Sequence, residues 1–248
     1  MHLVLIVAAA AYGAVAGLLV PRPRYRLAVA PEEPWRYRCP QGHPLTGPAG
    51  GWLGPARCPA CPVERRRFSV RAAPVAVALA VFCGGLAAAT GARPELAVWL
   101  LLAPFGALLA GVDRAVSRLP DVLTLPMAAG AVSLLGVITL LPRGAGSWTR
   151  ALLGGAVLGG GYLLLFVISP TGIGFGDVKL APTLGVALGW YGWDVLFLGA
   201  FAGPLLGAVH GGWLVLTRRA GRKTALPFGP FMLAGAGAGV VLGALGTA

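Results

Sequence analysis

The chain has 248 residues, is 57% hydrophobic and only 11% charged, and has a mean hydropathy of +0.78. A soluble domain carries about 25% charged residues, so this composition excludes a soluble globular enzyme and makes lipid the main solvent of the surface. The net charge of +12 does not signal nucleic acid, because the basic residues sit in loops beside apolar segments rather than on one face of a soluble fold.

The first apolar segment, residues 3–20, has no positively charged leading region, and Arg22, Arg24 and Arg26 follow it. It reads as a retained first transmembrane helix with its N-terminus outside, not as a cleaved signal. Residues 21–72 form a cytoplasmic loop domain rich in Pro, Gly and Arg, with no helical or strand period. Further spans are expected at residues 73–90, 96–112, 122–141, 151–168, 179–191, 193–216 and 228–247. Most are close to the about 17–25 residues that a bilayer core requires. The span 179–191 is short and holds Pro182, which predicts a kink or a broken start. Gly154, Gly155, Gly159, Gly160 and Gly161 predict close helix contact in the fifth span. Trp190, Tyr191 and Trp193 read as an interfacial aromatic belt. The expected fold is an all-α integral membrane protein of about eight transmembrane helices, with residues 73–248 as its polytopic domain.

The loops alternate in charge. Seventeen of the 20 Lys and Arg residues fall on one side of this topology, and only Arg93, Arg143 and Arg150 fall on the other. The basic side is therefore expected to face the cytoplasm.

The segment 21–72 has too few apolar residues to build a core. Cys39 and His43 lie four positions apart, Cys58 and Cys61 form Cys-x-x-Cys, and about 15 residues separate the two pairs. This spacing suits a closed, tetrahedral structural zinc site, whose binding would fold the segment. Trp35 and Trp52 flank the cysteines and are expected to pack on them.

Two aspartates are the candidates for chemistry, the alternative being that they cap helices. Asp113 ends the third span and Asp177 precedes the sixth. The two helices between them go out and come back, which returns both carboxylates to one face. Carboxylates that meet there share a proton, and then one acts as base on a water while the other polarises a carbonyl. Gly174 and Gly176 are expected to open backbone angles closed to other residues and to place Asp177 on an irregular turn. Lys179 is either a modulator of the pair or a snorkelling interface lysine. Asp121 suits the N-cap of the fourth span. From spacing alone, Asp113 and Asp121 are hard to separate.

Three longer strings narrow the choice. Asp113-Arg-Ala-Val-Ser-Arg-Leu-Pro-Asp-Val-Leu-Thr-Leu-Pro126, Gly172-Ile-Gly-Phe-Gly-Asp-Val-Lys-Leu180 and Leu226-Pro-Phe-Gly-Pro-Phe231 resemble, in order, motifs of the type IV prepilin peptidases. The resemblance spans about residues 35–247. It implies an aspartic endopeptidase of the bacterial inner membrane that cuts the basic leader of type IV prepilins or pseudopilins at the cytoplasmic face. It also implies Asp113 and Asp177 as catalytic residues, with Gly174, Gly176 and Lys179 in the active-site loop. Many members methylate the new N-terminus with S-adenosylmethionine, an activity linked to a loop with two Cys-x-x-Cys pairs. Here the first pair keeps one cysteine, with Gln41 and Gly42 where the second would fall, and His43 stands in as ligand. That departure leaves methyl transfer open. The rival reading is a proton- or cation-coupled transporter using the same aspartates, which predicts flux without a cut product.

Overall fold

In the computed structural model, which describes residues 2–30, 32–142, 144–170, 172–219, 221 and 226–247, the expected spans form helices of nearly the expected length. Arg143, Arg222 and Lys223, counted above for topology, lie outside the described residues. The helices are α1 (His2–Leu19), α2 (Pro21–Leu27), the single turn α3 (Pro48–Gly51), α4 (Ala72–Thr90), α5 (Glu95–Val116), α6 (Asp121–Ile138), α7 (Trp148–Ile168), α8 (Phe175–Tyr191), α9 (Trp193–Leu216) and α10 (Gly229–Gly246). Among the described residues, extended pairing is confined to isolated bridges in the loop domain.

Seven of these helices, α1, α4, α5, α6, α7, α9 and α10, are long and apolar enough to cross a membrane. The remaining expected span, the sixth in chain order, is α8, which is shorter at 17 residues and is buried along most of its length. Its course is marked by two interactions with α5. At one end Asp177 interacts electrostatically with Asp113. At the other, the Trp99 indole N–H donates to the Tyr191 hydroxyl at 2.9 Å. Each pair of anchors is 14 residues apart, about 21 Å of helix, so α8 runs antiparallel to α5 through the centre of the bundle. Pro182 sits within this continuous helix, so its start is not broken. Because neighbours surround α8, Trp190 and Tyr191 are buried rather than placed in an aromatic belt; only Trp193 of the three is exposed.

Small residues set the helix spacing. A Cβ on Gly154 of α7 would sit 2.5 Å from the Gly185 carbonyl oxygen of α8, so the two backbones touch with nothing between them. Gly155 and Gly159 face α8 as well, whereas Gly160 and Gly161 face open space. Lipid fills no gap between such helices, and close packing carries the association.

The far end of the bundle is tied by Arg93, which donates to the Ala244 carbonyl at 2.7 Å and lies 3.8 Å from the fully buried Glu95. Charge spacing assigned Arg93 only to topology, and the structure adds this tether.

Candidate active site and metal centre

The loop domain packs on a small core of Cys39, Leu45, Cys58 and Cys61, backed by Tyr25 and Phe68. Two tight turns present the cysteines. In the first, the Cys39 amide donates to the His43 carbonyl at 2.9 Å and the chain reverses through Gly42 at φ +83°. A cysteine at position 42 would hold that left-handed angle at a cost that glycine avoids. In the second, the Cys58 amide donates to Arg66 and the Cys61 amide donates back to Cys58.

The side chains converge. Ligand atoms of Cys39, His43, Cys58 and Cys61 all lie within 4.8 Å of one another. His43 Nδ1 is 3.6 Å from Cys39 Sγ and 3.3 Å from Cys61 Sγ, and the Cys39 and Cys61 sulfurs are 3.6 Å apart. A zinc tetrahedron with arms of about 2.3 Å to sulfur and about 2.0 Å to nitrogen has edges of about 3.5–3.8 Å. The donor set therefore fits a Cys3His metal centre in both chemistry and size, and the four cysteines of the chain are free thiols. Burial raises the Cys39 thiol, but hydrogen bonds from Gln41, His43 and Cys61 outweigh it and bring it down to about 6. Burial, together with hydrogen bonds and charges from Cys58 and Cys39, pushes Cys61 up to about 12. A cluster that holds one thiolate easily and resists the next is one that a divalent cation stabilises.

Helix α2 joins this centre to the bundle, and the sequence pattern gave no sign of it beyond Pro21 at a helix start. Its arginines point different ways. Arg22 donates to the Thr46, Leu53 and Pro55 carbonyls of the loop domain. Arg26 lies over Trp52 at 3.9 Å and Tyr37 at 4.7 Å, while Trp35 and Trp52 pack edge to face. The tryptophans thus serve Arg26 and each other, not the cysteines. Arg24 points into the bundle and donates to the Gly111 carbonyl of α5 at 2.7 Å.

Two residues beyond Gly111 lies Asp113, which is 5% exposed and accepts a hydrogen bond from the Gly229 amide at 3.0 Å. That amide opens α10, so the carboxylate meets a helix N-terminus, where negative charge is stabilised. Asp177 is 8% exposed, stands in the first turn of α8 and takes a backbone hydrogen bond from Gly174. A side chain at the third helical position reaching back to the N-cap amide is half of a capping box. The expected irregular turn is therefore absent: Gly174 has φ −70°, and neither glycine has a positive φ. Gly176 is small for packing, since a Cβ there would lie 3.1 Å from Leu119 Cβ in the α5–α6 connection.

Lys179 does not approach the pair. Its Nζ bonds Asp121 Oδ1 at 2.6 Å on the exposed rim and lies 4.6 Å from the Phe175 ring. Asp121 correspondingly makes no helix cap; Pro120 holds that position and the Asp121 carboxylate turns to Lys179. Two participants were missed from sequence: the Gly229 amide, and Tyr162 of α7, buried within electrostatic reach of Asp177. Gly229 lay inside the string from Leu226 to Phe231; Tyr162 had no distinguishing signal.

Comparison with known proteins decides the lineage. A model of the type IV leader peptidase family matches residues 100–212. A prepilin leader peptidase/N-methyltransferase of Aeromonas hydrophila is 31% identical over 239 residues, covering 86% of this chain and 72% of the relative. The chain belongs to the type IV leader peptidase family. A relative of the same name from Pseudomonas putida is 34% identical over 191 residues, 71% of this chain but 59% of its own length. Another, from Burkholderia pseudomallei, is 39% identical over 161 residues, 57% of this chain and 47% of its own. No solved structure matches the chain.

Proposed function

We propose that this family member is a membrane aspartic endopeptidase that removes the leader from type IV prepilins or pseudopilins, with Asp113 and Asp177 as its catalytic pair. The carrying observation is their arrangement: two carboxylates from antiparallel α5 and α8, each more than nine-tenths buried and within electrostatic reach of the other at the arginine-rich end of the bundle. By the positive-inside rule that end faces the cytoplasm of a bacterial inner membrane, so the substrate's apolar helix lies in the bilayer and its leader reaches the pair from the cytoplasm.

On this reading the two carboxylates hold one proton between them. The ionised member takes a proton from water, and the oxygen attacks the scissile carbonyl, whose oxygen is polarised by the protonated member. The tetrahedral intermediate collapses by breaking the C–N bond, and the departing amine takes the proton that the carboxylate had removed from water. The Gly229 and Gly174 amides hold the two carboxylates in place. Zinc, held by Cys39, His43, Cys58 and Cys61, would order the loop domain and, through α2, its seat on α5.

Asp113→Asn and Asp177→Asn should each abolish leader removal while the protein accumulates in the membrane at wild-type level. Asp121→Asn should still cut. Processing by either of the first two variants, or its loss only in the third, would overturn the pair. Mass spectrometry of the product N-terminus also reports methylation, the second activity in the relatives' name.

A further inference from the structure

A cavity of about 1210 Å³ lies between α4, α5, α8 and α10, and neither Asp113 nor Asp177 lines it. Small-ligand pockets hold about 300–1,000 Å³, so this one is large. Along α5 it runs from Trp99 to Arg114, 15 residues or about 22 Å. Its walls are almost wholly apolar, with Phe82, Trp99 and Leu184 among them. At one end only, three guanidinium groups appear, those of Arg24, Arg71 and Arg114. No Asp or Glu lines the cavity, and among the described residues no ion pair joins any of the three to a carboxylate. Arg24 and Arg114 repel each other, and Arg71 and Arg114 are exposed at the mouth.

An occupant must therefore be anionic at one end and apolar along the rest. A prepilin's apolar helix follows a basic leader, which would bring like charge to these guanidinium groups, whereas a phosphate brings the opposite charge. Flexible acyl chains suit an apolar cavity of this length, and basic pockets between membrane helices on the positive side recognise anionic headgroups. We infer that this cavity holds one anionic phospholipid, its phosphate at Arg71 and Arg114 and its acyl chains along α5 towards Trp99. This site stands apart from the proposed peptidase chemistry.

The test is native mass spectrometry of the full-length protein released from vesicles of phosphatidylglycerol and phosphatidylcholine with matched chains. The expected result is one phosphatidylglycerol retained per chain, favoured at least tenfold over phosphatidylcholine. Arg71→Gln with Arg114→Gln should reduce that preference below threefold, and Ala107→Phe, which fills the cavity, should lower retention of both lipids. Arg65→Gln with Arg66→Gln, at basic residues outside the cavity, should change neither. Equal retention of the two lipids by the wild type, or an unchanged preference in the Arg71/Arg114 variant, would overturn the inference. Displacement by glycerol phosphate would reduce the site to a simple anion site and overturn it too. So would displacement by a neutral poly-leucine helix, which would give the cavity to a peptide.

Discussion

The Gly229 amide reaches across 116 positions of sequence to the Asp113 carboxylate, with 3.0 Å between N and Oδ2. The contact fixes the start of α10 against the end of α5 and leaves no room for a side chain. A Cβ on Gly229 would stand 2.9 Å from Oδ2. Gly229→Ala should therefore displace the carboxylate rather than unfold the helix. Since misplacement by about 1 Å costs about 100-fold in rate, cleavage should fall by about that factor, with helical circular dichroism unchanged. Near-normal cleavage would show that the Gly229 contact does not position Asp113.

The Lys179–Asp121 pair is a different case. It lies on the exposed rim, with 25% and 55% of the two side chains exposed. Exposed pairs contribute about 0–1 kcal/mol. Lys179→Met should leave thermal stability within about 2–4 °C of wild type and slow cleavage only severalfold, as read by a leader-release assay. Loss of cleavage on the scale of Asp177→Asn would restore Lys179 to the catalytic machinery.

Much of this was legible in the sequence because the bilayer imposes strong rules. Length and hydropathy placed the spans, charge alternation put Asp113 and Asp177 at one end, and paired spacing brought Cys39, His43, Cys58 and Cys61 together. What could not be read depended on neighbours. The burial of Trp190 and Tyr191 follows from four helices surrounding α8, and an aromatic near a helix end looks alike in a belt or in a core. The three directions of Arg22, Arg24 and Arg26 follow from a seven-residue helix too short to show a period. Gly174 and Gly176 were expected to supply unusual backbone angles, but one is a regular N-cap and the other makes room for Leu119. Sequence identifies a glycine; only the fold says which of its properties is used.

Helix α7 rests on α8 through bare backbone at Gly154 and Gly185. Gly185→Leu should force the helices apart, at about the 1–3 kcal/mol of overpacked sites. In detergent the midpoint should fall by about 3–10 °C. Since α8 carries Asp177, cleavage should fall with it. Gly160→Leu, at an open position of the same α7 stripe, should change neither, and a comparable loss in that variant would show that the effect is not helix contact.

Helix α2 joins the Cys/His cluster to the end of α5 that carries Asp113, and the joint can be tested without touching the proposed catalytic pair. Purified protein should carry about one zinc per chain by elemental analysis, and Cys58→Ser should lose it, because three of four ligands no longer close the tetrahedron. Beside the cysteines, the small core of the loop domain holds Leu45, Tyr25 and Phe68, so without the metal its amides should exchange rapidly with solvent. The consequence should travel through Arg22 and Arg26, which bind the loop, to Arg24, which binds Gly111 two residues from Asp113. Hydrogen exchange along residues 108–116 should rise when zinc is removed by chelation and return when it is restored. Arg24→Gln should raise exchange there with zinc still bound, separating the tether from the metal. A zinc-free protein whose loop and α5 exchange like wild type would show that this domain folds and seats itself without a metal.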